Sequence, residues 1–146
     1  MILPIVTYPN KVLREKTKTI KKPQDKEIQS LIFDMLETME NNGNALGLAA
    51  PQVNQSVKLC IIKFSGKTYI LINPKITRKS WKREIGEEGC LSFPGKFIPV
   101  KRYKKVTVKA LDKNGEEIII KADGLLSRAL QHEIDHLNGV LFIDKK

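Results

Sequence analysis

The chain has 146 residues, 41% of them hydrophobic and 29% charged, and its 26 Lys and Arg residues outnumber 16 Asp and Glu residues to give a net charge of +10. This composition predicts a single globular domain spanning residues 1–146. No apolar run approaches the roughly 20 residues that a membrane-spanning helix needs, so a membrane protein of that class is excluded. The N-terminal segment lacks the basic stretch and apolar core of a signal peptide, and we therefore expect a cytoplasmic protein.

Basic residues gather in three segments, at 16–22, 75–83 and 100–105. A positive field of this kind attracts polyanions, and an RNA-rich neighbourhood is one interpretation. A lysine-rich surface that contacts only solvent is the simpler interpretation. Aromatic residues are not interleaved with the basic ones in the manner of single-strand binders, so we expect no sequence-specific nucleic-acid partner.

The first predicted helix follows Pro23. Apolar residues at positions 28, 31, 32, 35, 36 and 39 recur at the spacing of one helical face. Asp25 and Glu27 lie in its first turn, where the helix dipole favours negative charge. The sequence NNGN at 41–44 predicts the end of this helix. A stripe of this kind indicates a core-facing helix, and we assign it no catalytic role.

Runs rich in β-branched residues occupy the middle of the chain, at 56–64, 67–73, 104–112 and 116–122. Turns are predicted at 73–74 and 112–115, and residues 110–120 have the pattern of a β-hairpin. One helix precedes these strands and another follows them. The sequence therefore predicts an α+β fold, with antiparallel β-sheets packed around a central C-terminal helix and with an N-terminal helix.

The C-terminal helix is predicted over residues 125–137, with Asp123 as its N-cap. Positions i and i+4 share a helical face, so His132 and His136 can bind one metal ion. Glu133 projects to the side, where it can reach a water on that ion without binding the ion, as in the H-E-x-x-H pattern. The chain has only two histidines, and both lie in this pattern. This favours a metal-binding helix over a helix with two ordinary histidines.

A third metal ligand must come from upstream. Phe142 occupies the position of the last histidine in the metzincin pattern, and Asp144 is the sole carboxylate after the second histidine. The remaining candidates are a cysteine or a carboxylate. Cys60 lies in an aliphatic predicted strand and is better interpreted as a small buried hydrophobe. Cys90 lies in a predicted glycine-flanked turn, 86–95, from which its sulfur can approach an ion. A Cys-His-His set leaves a fourth position open for water, which is typical of a catalytic site.

Three segments together resemble a known family. EGCLS at 88–92 and QHEIDH at 131–136 are similar to motifs of the peptide deformylases. ALGLAAPQ at 45–52 resembles the glycine-rich stretch of that family, with Ala45 in place of its first glycine. All three segments occur in the order and at the spacing of the family, so the resemblance covers nearly the whole chain.

The resemblance implies a metal-dependent hydrolase. Such an enzyme removes the formyl group from the N-terminal formylmethionine of newly made proteins and releases formate. Cys90, His132 and His136 would bind one divalent metal ion, which is usually Fe²⁺ in this family, with Zn²⁺, Ni²⁺ or Co²⁺ as alternatives.

The resemblance also implies three catalytic groups. Glu133 would take a proton from the attacking water and later give it to the departing amine. The side-chain amide of Gln52 and the backbone N–H of Leu91 would donate hydrogen bonds to the oxyanion that develops on the formyl group.

The substrate implied by the resemblance is an N-formylmethionyl nascent peptide. Gly47 has no Cβ, so we expect the substrate main chain to pair with it in strand fashion. Leu125 and Ala129 lie on the face of the metal-binding helix, and with Leu46 they are expected to form an apolar slot for the methionine side chain. Arg128 lies on the same helix near the rim, either as a substrate contact or as a residue that packs by its stem.

Further expectations concern partners and alternative functions. We expect a monomer whose basic surface contacts the ribosome and which has no membrane partner. Another small metallo-amidase or peptidase that uses the same activated water is the alternative function. A binding protein with a structural Cys-His-His metal and no catalysis is a second alternative.

Overall fold

The computed structural model describes residues 1–43 and 45–145. Within those residues the chain forms two α-helices, α1 (Lys26–Asn41) and α2 (Gly124–Leu137). The strands are β1 (Gly47–Ala49), β2 (Leu59–Phe64), β3 (Lys67–Lys79), β4 (Arg83–Cys90), β5 (Phe93–Tyr103), β6 (Lys105–Leu111) and β7 (Glu117–Asp123). Short 3₁₀ helices occupy Lys11–Arg14, Ala50–Val53 and Phe142–Lys145.

The strands form two antiparallel sheets. The larger sheet has the order β1-β2-β3-β6-β7, and β4 pairs with β5 in a separate hairpin. β1 is therefore an edge strand, with β2 as its neighbour on one side. The hairpin predicted over 110–120 is confirmed, because β6 and β7 pair continuously from Lys105 opposite Asp123 to Leu111 opposite Glu117.

The two helices pack against different faces of the larger sheet. Alternate residues of a strand point to opposite faces. Cys60 and Ile62 of β2 belong to the apolar cluster that includes the core-facing residues of α2. Leu59 and Ile61 belong to the cluster that includes those of α1. α2 also contacts β5 of the hairpin, so the predicted α+β fold with sheets around the C-terminal helix is confirmed.

α1 begins three residues after Pro23, as the apolar stripe predicted. Its face toward the core includes Ile32, Met35 and Met39, all buried. Asp25 occupies the N-cap position, one residue outside the helix, and its side chain makes no capping hydrogen bond. α1 ends at Asn41, at the start of the predicted terminating segment; residue 44 of that segment lies outside the described residues.

α2 begins one residue before the predicted start and ends at the predicted residue. Asp123 occupies its N-cap position, although its side chain makes no capping hydrogen bond. The side of the helix that faces the sheet is buried, and it carries Leu126, Leu130 and Ile134. In the described part of the chain, no helix is both long and apolar enough to cross a membrane.

The turn predicted at 73–74 is wrong, because β3 continues through it with a bulge. Asn73 has a φ of 52°, and the pairing with β6 shifts register between Ile72 and Lys75. The Asn73 side chain exchanges two hydrogen bonds of 2.9 Å with the backbone of Ile20. The turn-favouring residues therefore bend the strand toward the N-terminal segment instead of ending it.

The turn predicted at 86–95 is much shorter than expected. Most of this segment belongs to β4 and β5, and the chain reverses within the two residues between Cys90 and Phe93. Gly89 is a strand residue with a steric role, because a Cβ there would lie 2.6 Å from the ring of Phe97. Charged, glycine and proline residues hide the alternation of this hairpin, so sequence patterning missed both strands.

Candidate metal centre

α2 presents both imidazoles of the chain on one face. The ring centroids of His132 and His136 are 5.0 Å apart, and both side chains are buried. Nδ1 of His136 is buried and has no hydrogen-bond partner in residues 1–43 and 45–145. The one-turn spacing of the histidines produces the pairing that the sequence predicted.

Cys90 lies at the end of β4, where the hairpin meets α2. Its Sγ is 3.4 Å from Nε2 of His136. One potential ligand atom from each of Cys90, His132 and His136 lies within 4.8 Å of the other two. Cys60 is fully buried in β2, and burial raises the pKa of its thiol well above the usual value. The structure therefore brings Cys90, and not Cys60, to the two imidazoles.

The electrostatic surroundings of the two imidazoles suit a bound cation. Burial lowers the pKa of His132, but the negative charge of Glu133 and hydrogen bonds with Cys90 and Glu88 outweigh it and raise the pKa to about 10. Burial lowers the pKa of His136 well below its usual value, which keeps that ring in the neutral, ligating form. The same negative groups favour a divalent ion between thiolate and imidazoles, and this donor set fits such an ion.

Glu133 is buried beside this cluster. Its Oε1 atom has no hydrogen-bond partner among the described residues. Burial raises the pKa of its carboxyl group to about 7. A carboxyl group with a pKa near neutrality can both accept and release a proton at physiological pH.

Gln52 approaches the cluster from the 3₁₀ helix that follows β1. Its side chain is 1% exposed, and its Oε1 accepts a 2.9 Å hydrogen bond from the backbone N–H of Ala49. This bond fixes the orientation of the amide, so Nε2 points toward Cys90 Sγ at 3.5 Å and donates to Ser92 Oγ at 3.2 Å. A side-chain N–H donor is thus held beside the thiol.

Gly47 has a steric role that sequence patterning did not anticipate. A Cβ at this position would lie 2.5 Å from Oε2 of Glu133. Lys63 N donates to Leu46 O at 2.8 Å, and Gly47 is the next residue along, opposite Ile62 of β2. In an antiparallel pair the residue after a hydrogen-bonded position directs its own N–H and C=O away from the partner strand. The backbone groups of Gly47 therefore face the open edge of the sheet.

Glu88 is a functional residue that the sequence analysis missed. Its side chain is buried, and Oε1 accepts a 2.9 Å hydrogen bond from Nδ1 of His132. Arg102 donates two hydrogen bonds to the carboxylate, at 2.8 and 2.9 Å, and donates a third to Asp135 at 2.6 Å. Strand alternation places residue 88 on the same face as Cys90. That signal could have identified Glu88 if β4 had been recognised.

Arg128 lies at the junction of α2 and the hairpin. Its guanidinium donates to Glu88 Oε2 at 2.7 Å and to the backbone carbonyls of Val100 and Glu84, both at 2.8 Å. These contacts bind the β4–β5 hairpin to α2. These guanidinium contacts differ from the predicted packing by the stem. The residue also lines the cavity described next, and a substrate contact stays a prediction.

A cavity of about 770 Å³ opens over the group of candidate metal ligands, and Cys90 and His132 form part of its wall. Its wall contains all the residues predicted from sequence to contact substrate or oxyanion: Leu46, Gly47, Gln52, Leu91, Leu125, Arg128 and Ala129. Leu46 and Leu125 are half-exposed at its mouth. The hairpin adds Phe93, Pro94 and Phe97 to the wall, and these were missed together with the hairpin.

One helix carries two imidazoles and an unpartnered carboxylate, a strand end supplies a thiol, and a cavity leads to them. This arrangement defines the class of metal-dependent hydrolases with an H-E-x-x-H helix.

Comparison with known proteins identifies the family. The family model described as polypeptide deformylase matches residues 2–146. The peptide deformylase of Thermodesulfovibrio yellowstonii is 50% identical over 149 residues, covering 99% of this chain and 88% of the relative. The crystal structure of the Thermotoga maritima peptide deformylase has a TM-score of 0.95 at 37% identity, covering 99% of this chain and 97% of the other. That of the Ehrlichia chaffeensis peptide deformylase in complex with actinonin has a TM-score of 0.94 at 42% identity, covering 99% and 88%.

The chain therefore belongs to the polypeptide deformylase family. Its activity is metal-dependent hydrolysis of the formyl group on the N-terminal methionine of new proteins, with release of formate.

Proposed function

We propose that Cys90, His132 and His136 hold one divalent ion at the floor of the cavity and that Glu133, Gln52 and Leu91 carry out the proton transfers and hydrogen bonding of deformylation. The observation that carries this proposal is the convergence of three ligand atoms within 4.8 Å. An unpartnered carboxylate oxygen on the next residue of the same helix supports it.

Ferrous iron is the metal that we propose, because it is usual in the family. A thiolate and two imidazoles also accept zinc, nickel and cobalt, so the donor set by itself does not select iron. When bound, the ion supplies Lewis acidity and lowers the pKa of a water molecule to about 7. The three protein ligands would leave a coordination position open for that water.

Glu133 moves the protons of the reaction. It accepts one from the attacking water at its unpartnered Oε1, and then donates it to the amine that leaves when the C–N bond breaks. A pKa of about 7 allows both transfers in one cycle. Burial of the carboxyl group excludes bulk water as a competing proton donor.

Gln52 and Leu91 stabilise the oxyanion. The bond from Ala49 N fixes the Gln52 amide with Nε2 on the side of the site, so an N–H that now points toward Cys90 Sγ can donate to the oxyanion. Leu91 follows Cys90 in the two-residue reversal, and its backbone N–H is the second donor. One well-placed donor is worth about 3 kcal/mol of transition-state stabilisation.

The substrate is an N-formylmethionyl nascent peptide. Its main chain adds to the open edge of β1 at Gly47, because the peptide groups there face away from β2. Leu125 and Ala129 of α2, with Leu46 across the mouth, form the slot for the methionine side chain. Arg128 positions the hairpin wall of the same cavity.

We further propose that the protein acts as a cytoplasmic monomer and contacts the ribosome through its basic surface. The net charge of +10 supports a contact with ribosomal RNA. Sedimentation of the purified protein tests the oligomeric state, and salt-dependent pelleting with ribosomes tests the contact.

Formate release from formyl-Met-Ala tests the proposed function. We expect turnover of this peptide and none of acetyl-Met-Ala or of internal peptide bonds; cleavage of either would favour the alternative amidase or peptidase. Glu133→Gln should lower kcat by at least about 10²-fold with the metal and fold retained. Removal of the metal tests the other alternative. If the protein then loses stability but not turnover, the metal is purely structural.

A further inference from the structure

A second cavity, of about 760 Å³, lies between the end of β3, the β4–β5 hairpin and α2. Among the described residues, no lining residue is shared with the cavity over the metal centre. Its wall is rich in basic side chains: Arg78, Lys79, Arg83, Lys101, Arg102 and Lys145. A concave surface rich in basic side chains therefore lies outside the wall of the cavity over the metal centre.

Few carboxylates neutralise this surface. Asp135 is the acidic residue of the wall, and it is already paired with Arg102. Among the described residues, Lys79 and Arg83 make no ion pair within 4.0 Å. Nearby Asp123 is shared between Lys104 and Lys105, at 3.9 and 4.0 Å. An anionic partner could thus bind without displacing internal ion pairs.

One aromatic side chain lines this cavity, and a second lies in the connection between two of the strands that line it. The Tyr103 ring has Lys79 Nζ 4.9 Å from its centroid and Arg83 Cζ 5.2 Å from it. Trp81, in the connection between β3 and β4, is fully exposed, at 101% of its reference area. A fully exposed indole in a segment rich in lysine and arginine offers a free aromatic face for stacking with a ligand.

The backbone holds Trp81 in this position. Ser80 N donates to Lys105 O at 2.8 Å, and Lys104 N donates to Lys82 O at 3.0 Å. The residues on both sides of Trp81 are thereby tied to the turn between β5 and β6. These bonds fix the backbone of the segment that carries the indole.

We propose that this surface, the basic groove formed by Arg78, Lys79, Trp81, Arg83, Lys101 and Tyr103, binds single-stranded RNA without sequence preference. The cationic side chains contact the phosphates, and one unpaired base stacks on Trp81. The concave shape and the exposed indole favour an RNA strand over a flat anionic membrane. The fold brings Lys79 of β3 and Arg83 of β4 together on the ring of Tyr103 of β5.

The groove gives a location to the ribosome contact, and this use of it rests on the proposed function. RNA binding itself does not require deformylation, because the groove and the catalytic cavity have different walls. An assay with isolated RNA and a separate formate-release assay therefore distinguish failure of one proposal from failure of the other.

Trp81 is the only tryptophan of the chain, so intrinsic fluorescence reports on the groove directly. We would titrate the full chain with a single-stranded RNA of about 12 nucleotides and follow tryptophan emission and the anisotropy of labelled RNA. We expect quenching of the emission together with binding that weakens as salt increases. Vesicles of phosphatidylglycerol and phosphatidylcholine serve as the competing anionic partner.

Two variants test the groove, each with a matched control. Lys79→Gln with Arg83→Gln removes two charges from it, and Lys21→Gln with Lys22→Gln removes two exposed charges elsewhere. The groove pair should lower the slope of log Kd against log salt by about 1.4, and the control pair should not. Trp81→Ala should weaken binding at least about fivefold, whereas Phe33→Ala, which removes an exposed aromatic residue of α1, should not.

All four variants should hydrolyse formyl-Met-Ala at the unmodified rate, which verifies that they fold. The proposal is overturned if RNA does not bind, if the emission of Trp81 is unchanged on binding, or if the two charge pairs weaken binding equally. Quenching by the vesicles but not by RNA would likewise overturn it, in favour of a membrane surface.

Discussion

His132 donates a 2.9 Å hydrogen bond from Nδ1 to Oε1 of the buried Glu88. This bond fixes the ring orientation and leaves Nε2 as the nitrogen available to a metal. Two arginines, Arg102 and Arg128, hold the same carboxylate. Burial raises the pKa of Glu88, but hydrogen bonds and positive charge from Arg102 and His132 outweigh it and lower the pKa. A charged network thus sets the tautomer of one proposed ligand.

We predict that Glu88→Gln weakens metal binding by about 10- to 100-fold, because an amide holds the imidazole less firmly and makes it a weaker base. The change also removes the carboxylate that Arg102 and Arg128 share, which leaves Arg102 with Asp135 alone and Arg128 with backbone carbonyls. The free energy of unfolding should therefore fall by up to about 3 kcal/mol. Metal content after dialysis against graded chelator and urea unfolding measure the two effects.

Glu84→Gln is the matched control for this substitution. Glu84 lies on the same strand with its side chain exposed, and Arg128 contacts only its backbone carbonyl. Metal affinity and stability should stay unchanged in this variant. Equal metal affinity in Glu88→Gln and the unmodified protein would show that the contact does not act on the metal site.

A second prediction concerns Gly47, whose missing Cβ leaves room for the carboxylate of Glu133. Gly47→Ala would place a methyl group 2.5 Å from Glu133 Oε2, so the carboxylate must move. We expect kcat for formyl-Met-Ala to fall by about 10²-fold, the size of a 1 Å misplacement of a reacting group. Metal content should be unchanged, because the metal ligands lie on other residues.

A double-mutant cycle separates this effect from general damage. In a Glu133→Gln background the carboxylate is already absent, so Gly47→Ala should cause little further loss of kcat. Additive losses would mean that Gly47 acts independently of Glu133, for example through the pairing of substrate with β1.

The sequence predicted the parts of the site that depend on regular local periodicity. The apolar stripe of α2 sets the helix, and the helix sets the relation of His132 to His136. Cys90 followed by elimination, since only one cysteine lies outside an aliphatic strand. These inferences needed no knowledge of the tertiary contacts.

The parts that were missed depend on long-range packing. The strands β4 and β5 carry glycine, proline and charged residues that follow no alternating pattern, because the hairpin packs against Arg128 as well as against an apolar cluster. From the sequence alone, Glu88 would be predicted to be a solvent-exposed acid. Its burial depends on Arg102, which is 14 residues away on the partner strand of the hairpin.

A third prediction uses the contrast between the two thiols. Cys60 is fully buried and burial raises the pKa of its thiol well above the usual value, so it should resist alkylation in the folded protein. Cys90 is partly exposed at the cavity. Iodoacetamide should therefore modify Cys90 alone in chelator-treated protein, and bound metal should protect it.

Peptide mapping by mass spectrometry measures both sites. Cys90→Ser is the control and should take up no reagent until urea unfolds the chain. Rapid labelling of Cys60 in the folded protein would contradict the burial of β2, and labelling of Cys90 at an equal rate with and without metal would contradict its role as a ligand.

The last prediction concerns the pH dependence of stability at the C-terminal end. Arg14 donates two hydrogen bonds to Asp144, at 2.5 and 3.1 Å, and these lower the pKa of the carboxyl group below its unfolded value. An acid with a lowered folded-state pKa contributes its full stabilisation at pH values above its unfolded pKa of about 3.9. This contribution is lost as the pH falls through the folded-state pKa. The pair is partly exposed, so it contributes less than about 1 kcal/mol. The difference in unfolding free energy between the unmodified protein and Asp144→Asn should thus be constant above about pH 5 and shrink below it. Urea unfolding from neutral to acidic pH measures this difference. Asp25→Asn is the control, because the side chain of Asp25 makes no capping hydrogen bond. A difference that grows on acidification would show that the charge of Asp144 does not stabilise the fold.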